Sequence, residues 1–216
     1  MSDDTPNTLI DEKQARSFVA ELCDAAAMER LERFCAILLE ENARQNLISK
    51  GSVDSLWLRH IADSAQLLSH VPRETFEQQS NSDPWLDLGT GAGFPGVVIA
   101  ALRPKWPVRL VESRIRRVEF LQRAIVDLEL LHCTVLGDRL ERIEPFCASV
   151  ISARAFAPLE KLLRLSAPFS TKATRYILPK GRSAAQELSG QKKPIRTKFH
   201  VKHSLTDPEA GIIVSA

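Results

Sequence analysis

The chain of 216 residues is 44% hydrophobic, which suits one substantial domain, or one domain with a smaller appendage. No apolar run is long enough to span a bilayer, and the acidic first residues are unlike a signal peptide, so a membrane partner is excluded and a cytoplasmic protein is expected. The net charge of +2 is unevenly distributed: residues 1–90 carry 8 Lys or Arg against 16 Asp or Glu, whereas residues 91–216 carry 21 against 11. The basic excess of the second part favours a polyanionic partner.

The first part of the chain is predicted to be helical from about Asp11 to Leu68. Apolar residues recur there at helical spacing, and one face of a long helix carries Met28, Leu31, Cys35 and Leu38. A further helix is expected from about Ser52 to Leu68. The sequence therefore predicts an N-terminal helical appendage over residues 1–80 that packs on the core of the rest of the chain.

From Trp85 the pattern changes to short apolar segments rich in β-forming residues, with stretches long enough for helices between them. Such alternation predicts right-handed βαβ units and a mostly parallel sheet, and so an α/β domain over residues 81–216. Strands are expected over residues 85–88, 108–111, 133–136, 149–152 and 176–178. Two later segments, residues 199–204 and 211–215, predict a terminal hairpin or edge pair.

The cysteines and the basic residues point to different roles. Cys23, Cys35, Cys133 and Cys147 have no CxxC spacing and no clustered histidines, which predicts core thiols and no metal site. The basic residues form two clusters, each equally explained by solvated surface charge or by phosphate binding. These clusters are Arg103, Lys105, Arg109, Arg114, Arg116, Arg117 and Arg123, and later Lys192, Lys193, Arg196, Lys198 and Lys202.

The most informative segment is DLGTGAGFPG, residues 87–96, which lies between the first strand and an apolar helix. Glycine permits positive φ angles and a close approach of the backbone to a ligand, and a structural turn would rarely need four of them. Pro95 suits the first position of the following helix. A strand, a glycine loop and a helix in this order predict a nucleotide-cofactor site, formed by Gly89, Thr90, Gly91 and Gly93.

Two carboxylates frame this loop. Asp87 ends the first strand, and Glu112 ends the second at a spacing typical of a carboxylate that receives ribose hydroxyls, although it is also explained as an exposed strand-end residue. Residues 91–96 match GxGxxG, so an NAD(P)-dependent oxidoreductase is an alternative. However, Asp87 would repel a pyrophosphate, whereas it would attract the sulfonium and ammonium groups of S-adenosylmethionine. The methyl donor is therefore the favoured cofactor.

Several motifs accompany the loop, and their combination is more specific than the loop alone. They are Asn46-Leu47, Arg59-His60-Ile61-Ala62-Asp63-Ser64, Leu110-Val111-Glu112-Ser113, Arg117-Val118-Glu119-Phe120-Leu121, Arg139-Leu140-Glu141, Ser152-Ala153-Arg154-Ala155-Phe156-Ala157 and Lys180-Gly181. With these motifs the chain resembles, over most of its length, the bacterial 16S ribosomal RNA guanine N7 methyltransferases, also called glucose-inhibited division protein B.

The resemblance implies a Rossmann-like class I S-adenosylmethionine-dependent methyltransferase with a seven-stranded, mostly parallel sheet. It implies that Gly89 and Phe94 lie against the cofactor, that Leu140 and Glu141 flank its adenine, and that Arg154 reaches the mouth of the active site. The implied reaction is methylation of N7 of guanine 527, in the 530 loop of 16S ribosomal RNA. The substrate is then naked RNA or a precursor of the 30S particle, and a monomeric enzyme is expected.

Guanine N7 carries a lone pair and no proton, so its methylation requires no general base. A donor that orients the neighbouring O6 suits arginine or lysine, and the candidates are Arg154 and Lys180, for which a phosphate contact or a plain ion pair is equally plausible. His60 and Asp63, one helical turn apart, are expected to be a structural pair rather than catalytic groups. A second alternative is a non-catalytic RNA-binding relic, which the intact glycine loop disfavours.

Overall fold

The structure is a computed structural model that describes residues 8–72, 74–75 and 83–216. Its first two helices are α1 (Glu12–Glu21) and α2 (Ala25–Gln45). Each begins after an aspartate whose carboxylate accepts a hydrogen bond from a backbone N–H of the first turn: Asp11 from Gln14 at 2.7 Å, and Asp24 from Ala27 at 2.8 Å. The expected boundary between residues 80 and 81 lies outside the described residues.

The third helical segment, α3, is irregular. It is π-helical over Trp57–Ala62, α-helical over Asp63–Ala65 and 3-10 helical over Gln66–His70. The predicted helix from about Ser52 to Leu68 is present, but its predicted start is four to five residues too early: residues 50–52 form a separate 3-10 turn, and the sequence GSVDS, residues 51–55, contains poor helix formers. The carboxylate of Glu12 fixes the true start, since it accepts hydrogen bonds from the N–H groups of Trp57 and Leu58.

The described part of the chain forms one seven-stranded sheet with the order β3-β2-β1-β4-β5-β7-β6. The strands are β1 (Trp85–Leu88), β2 (Val108–Val111), β3 (Cys133–Leu136), β4 (Val150–Ser152), β5 (Arg175–Gly181), β6 (Phe199–His203) and β7 (Gly211–Ser215). Strands β1 to β5 pair in parallel, and β7 runs antiparallel to both of its neighbours. This confirms the expected mostly parallel sheet, with β6 at its edge and β7 between β5 and β6.

Helices follow most of the strands. They are α4 (Gly96–Leu102), α5 (Ile115–Asp127), α6 (Leu159–Ser166), α7 (Ala184–Ser189) and α8 (Lys193–Arg196). Every residue of α4 is buried, because this helix lies between strands β1 and β2 on one side and helices α2 and α3 on the other. Pro95 directly precedes α4 instead of being its first residue.

The N-terminal helices share a hydrophobic core with the sheet. Phe34 of α2 and Ile61 of α3 belong to the same buried cluster as Trp85 of β1, Phe94 of the glycine loop and Val97 of α4. Truncating a buried aromatic such as Phe34 to alanine costs about 3–5 kcal/mol of stability. This shared core fixes α3 against the glycine loop, so the helical appendage is part of the frame of the site.

The cysteines only partly follow the expectation of core thiols. Cys35 and Cys133 are buried, and burial raises the pKa of each thiol to about 12. Cys23 is half-buried, whereas Cys147 is exposed, so for Cys147 the prediction is wrong. Its segment, residues 143–147, is loop structure before β4 and leaves the side chain at the surface. Among the described residues, no helix is long and apolar enough to cross a membrane.

Candidate functional site

The glycine loop lies at the carboxyl end of β1, where parallel sheets commonly bind ligands. Gly89, Gly91 and Gly93 have φ angles of +65°, +60° and +102°, which side chains rarely tolerate. The carbonyl of Thr90 accepts hydrogen bonds from the N–H groups of Gly93 and Phe94 at 2.9 and 3.0 Å, and these bonds close the turn. The sequence signal, a run of glycines after a strand, thus corresponds to a backbone shape that requires them.

Asp87, in β1, fixes the end of this loop through hydrogen bonds of its carboxylate. The side chain is fully buried; one carboxylate oxygen accepts a hydrogen bond from the Gly96 N–H at 2.9 Å, and the other accepts one from the Ser152 hydroxyl at 2.7 Å. Ser152 in turn accepts a hydrogen bond from the indole N–H of Trp85 at 2.7 Å. Burial raises the pKa of Asp87, and the hydrogen bonds from Ser152 and Gly96 act in the opposite direction.

The position of Asp87 changes how its expected role is understood. Both carboxylate oxygens accept hydrogen bonds inside the protein and the side chain is fully buried, so Asp87 has no exposed oxygen with which to contact a ligand directly. Gly96 has no room for a side chain, because a Cβ there would overlap Leu110 and lie 2.9 Å from the Asp87 carboxylate. The close approach of α4 to the sheet therefore depends on this glycine. Ser152 was identified from the sequence only as part of a motif, and its contact with Asp87 was missed.

Glu112 lies at the carboxyl end of β2, beside the loop, and its side chain is buried. One carboxylate oxygen accepts hydrogen bonds from the N–H groups of Ser113 and Arg114 at 2.7 and 2.9 Å. The other oxygen is 3.6 Å from the guanidinium of Arg117. The same guanidinium is 3.5 Å from the place that a Cβ on Gly91 would take, so Arg117 bridges the carboxylate and the loop. The sequence placed Arg117 in a basic cluster and in one of the accompanying motifs, but its contact with Glu112 was not predicted.

The residues expected around an adenine ring have contrasting surroundings. Leu140 is buried among apolar side chains of β1, β2 and β4, and Glu141 is exposed in the 3-10 turn Leu140–Arg142 after β3. Phe94 is buried, and its ring stacks on the imidazole of His60 with ring centres 4.8 Å apart and planes 18° apart. These side chains all lie near the carboxyl edge of the sheet.

Arg154 follows β4 and joins α3 to the glycine loop. Its guanidinium donates to Nδ1 of His60 at 3.0 Å and to the carbonyl of Arg59 at 3.4 Å, and it is 3.4 Å from a carboxylate oxygen of Asp63. The guanidinium carbon also lies 5.1 Å from the centre of the Phe94 ring. His60 and Asp63 were expected to form a pair with each other; instead, both contact Arg154.

Lys180 holds the loop that follows β4. Its side chain is only 8% exposed, and Nζ donates to the carbonyl of Ala157 at 2.7 Å and to the carboxylate of Glu187 at 3.1 Å. The same oxygen of Glu187 accepts a hydrogen bond from the N–H of Leu159. Within this loop Ala155 has a φ of +54°, a strained conformation of the kind often found at functional sites.

A cavity of about 1140 Å³ opens beside the loop at the carboxyl ends of β4 and β5. Its walls carry both signs of charge: Arg59, Arg154, Lys180 and Arg182 are basic, and Asp63, Glu187 and Asp207 are acidic. Phe156, another wall residue, lies so close to Gly89 that a Cβ there would be 2.7 Å from its ring. Arg154 and Phe156 thus separate the cavity from the glycine loop and contact both.

Comparisons with known proteins agree with this arrangement. A family model described as rRNA small subunit methyltransferase G matches residues 27–210. Two curated relatives are named ribosomal RNA small subunit methyltransferase G. The relative from Erythrobacter litoralis is 61% identical over 94% of this chain and 95% of its own, and that from Novosphingobium aromaticivorans is 52% identical over 96% and 89%. A solved structure of a mutant MtNAS in complex with S-adenosylmethionine has a TM-score of 0.52 at 16% identity, covers 99% of this chain and 85% of that chain, and is similar in fold alone.

Proposed function

The chain belongs to the family of rRNA small subunit methyltransferase G, and from this premise we propose that it transfers a methyl group from S-adenosylmethionine to N7 of guanine 527 in 16S ribosomal RNA. The observation that carries the proposal is the position of Arg154, which contacts the glycine loop on one side and a large cavity on the other. A cofactor on the loop and a base in the cavity would meet at this residue.

The residues at the glycine loop fit S-adenosylmethionine. Three glycines with positive φ give a ligand access to the backbone, and the Glu112 oxygen that faces Arg117 has no closer donor than 3.6 Å among those described. Ribose hydroxyls are suitable partners for such a carboxylate. We propose that Gly89, Thr90, Gly91, Gly93 and Phe94 form the floor of this site and that Leu140 and Glu141 flank the adenine. Asp87 would hold the loop and contribute its negative charge from beneath it.

The cofactor supplies a methyl group that is already activated by the sulfonium, so the protein has to position the nucleophile. Guanine N7 has no proton to lose, and the proposed reaction accordingly needs no general base among the histidines or cysteines. An arginine side chain that donates to O6 aligns N7 and accepts no proton itself. We propose this role for Arg154. Nζ of Lys180 already donates to two acceptors, the carbonyl of Ala157 and the carboxylate of Glu187. We therefore propose that Lys180 holds the β4–α6 loop and does not contact the base directly.

The target base has to leave its stack to reach the cavity, which suits a single-stranded or flexible RNA segment. The two basic clusters differ in how well they suit the RNA backbone. In the first, Arg109 stacks on Phe146 and Arg123 pairs with Glu41. In the second, Lys192, Lys193, Arg196, Lys198 and Lys202 are all exposed on and around α8 and β6. We propose that the second cluster binds phosphates, and that the protein acts as a monomer in the cytoplasm.

The proposed function is tested by mapping methylated guanines. Ribosomal RNA from cells without the gene should lack one N7-methylguanine, and the purified protein should restore it with S-adenosylmethionine as the methyl donor. Naked 16S RNA and isolated 30S particles, assayed side by side, identify the substrate. An unchanged map would overturn the proposal. A thermal shift by NAD and none by S-adenosylhomocysteine would favour the dehydrogenase alternative. RNA binding by a protein that neither cofactor stabilises would favour the non-catalytic alternative.

A further inference from the structure

His60 is the group on α3 that contacts Arg154 most closely. It lies in the π-helical stretch Trp57–Ala62, a rare backbone form that often marks functional positions. Three groups of this region face the Arg154 guanidinium: the carbonyl of Arg59, Nδ1 of His60 and the carboxylate of Asp63. Of these contacts, the one with His60 is the shortest, at 3.0 Å.

The contact defines the protonation of the imidazole. A guanidinium can only donate hydrogen bonds, so Nδ1 of His60 accepts and the ring proton lies on Nε2. Burial, together with the positive charges of Arg154 and Arg59, lowers the pKa of His60 to about 3. Asp63 is the acidic group that faces the same guanidinium. The ring is therefore neutral near pH 7 and keeps its acceptor lone pair toward Arg154.

The second ring nitrogen, Nε2, indicates why position 60 carries a histidine. Nε2 of His60 is buried and has no hydrogen-bond partner among the described residues. An unpaired buried donor costs about 1–3 kcal/mol. A phenylalanine would fill the same space and stack on Phe94 without that cost, so packing alone does not account for an imidazole.

We propose that His60 is a positioning residue for Arg154: through Nδ1 it holds the guanidinium between the Phe94 ring and the cavity. The inference rests on the proposed function, because methyl transfer is its readout. Asp63 supplies charge to the same guanidinium but has other partners, since one of its oxygens accepts hydrogen bonds from Gln66 and Thr206. His60 is thus the more specific determinant of the direction of Arg154.

A double-mutant cycle tests this proposal. His60→Phe keeps the stack on Phe94 and removes the acceptor, and it should lower the single-turnover methylation rate about 10-fold or more while the Kd for S-adenosylhomocysteine changes less than about 3-fold. In an Arg154→Ala background the same substitution should change the rate less than about 3-fold. Equal effects of His60→Phe in both backgrounds would overturn the proposal, because His60 would then act independently of Arg154.

A second variant separates positioning from folding. His60→Asn places an acceptor oxygen near Nδ1 and loses the stack, so its rate should lie between those of the wild type and His60→Phe. If His60→Phe fails to fold, His60→Asn still tests the proposal, because a methylation rate for His60→Asn as low as that of Arg154→Ala would contradict the inference. His132→Asn, at an exposed position before β3, is the matched control. Failure of the proposed function is recognised separately, because the wild type would then be inactive.

Discussion

The two sides of the site are built in different ways. On the β1–β3 side the glycine loop takes its shape mainly from its own backbone, through positive φ angles and hydrogen bonds over three or four residues, and one further bond runs from the Thr90 N–H to the carbonyl of Val111 in β2. On the β4–β5 side each important side chain is held by residues far along the chain, as Arg154 is held by His60 and Lys180 by Ala157. The first side is therefore a local structure, and the second depends on the packing of the whole domain.

This difference indicates how substitutions should act. A change at Gly91, where a Cβ would meet no atom closer than 3.5 Å, should affect the cofactor contact and leave the packing around the loop in place. A change on the other side disturbs residues that come from α3, from the β4–α6 loop and from α7. We expect the first kind to affect cofactor affinity, and the second kind to affect rate and stability together.

The largest effect is expected from Gly91→Asp. Gly91 has a φ of +60°, which aspartate tolerates better than most residues, so the fold should survive. The added carboxylate would occupy the approach to the backbone and attract Arg117 from Glu112, and the Kd for S-adenosylhomocysteine measured by calorimetry should rise at least about 100-fold. Gly51→Asp is the control, because a Cβ there meets no atom within 4 Å. An unchanged Kd would show that the loop does not bind the cofactor.

The next effect is expected from Arg154→Ala, on the other side of the site. The rate of methyl transfer at saturating cofactor should fall about 100-fold, because the base would lose the donor that orients it. The Kd for S-adenosylhomocysteine should stay within about 3-fold of the wild-type value, because the glycine loop keeps its own backbone bonds. Arg142→Ala, at an exposed position, is the matched control. Equal losses of rate and affinity would instead assign Arg154 to the cofactor.

The same contrast explains what the sequence could predict. The glycine loop and the mostly parallel sheet follow from local patterns, namely the spacing of glycines and the alternation of apolar strands with helices. The contact of Ser152 with Asp87 joins residues 65 positions apart, and that of Arg154 with His60 joins residues 94 apart. Such contacts depend on how elements pack, which local periodicity does not encode. The motifs that contain His60 and Ser152 indicated that these residues matter, but not what they touch.

A smaller effect is expected from Lys180→Met, which tests whether the β4–β5 side of the site depends on the hydrogen bonds of Lys180. The substitution leaves the carboxylate of Glu187 and the carbonyl of Ala157 without their lysine partner, at a cost of about 1–3 kcal/mol in the free energy of unfolding. The methylation rate should fall about 10-fold as the β4–α6 loop loosens. Urea unfolding and single-turnover assays measure the two effects, with Lys172→Met, at an exposed position outside both basic clusters, as the control. A stable variant with a rate near zero would instead mean that Lys180 contacts the substrate.

The smallest effect concerns pH and tests how strongly α3 holds Arg154. The pKa of His60 is lowered to about 3 in the folded protein, from about 6.5 in the unfolded chain. Between these values the unfolded state binds more protons, so the free energy of unfolding should fall by about 1 kcal/mol from this residue as the pH drops from about 6.5 to about 5.5. His70 and His200 also have lowered pKa values, so the comparison has to be made with His60→Phe, which keeps both. The free energy of unfolding of the wild type minus that of His60→Phe should decrease as the pH falls. If this difference did not change with pH, the imidazole of His60 would not be held neutral beside Arg154. The β4–β5 side would then depend less on packing against α3 than its contacts indicate.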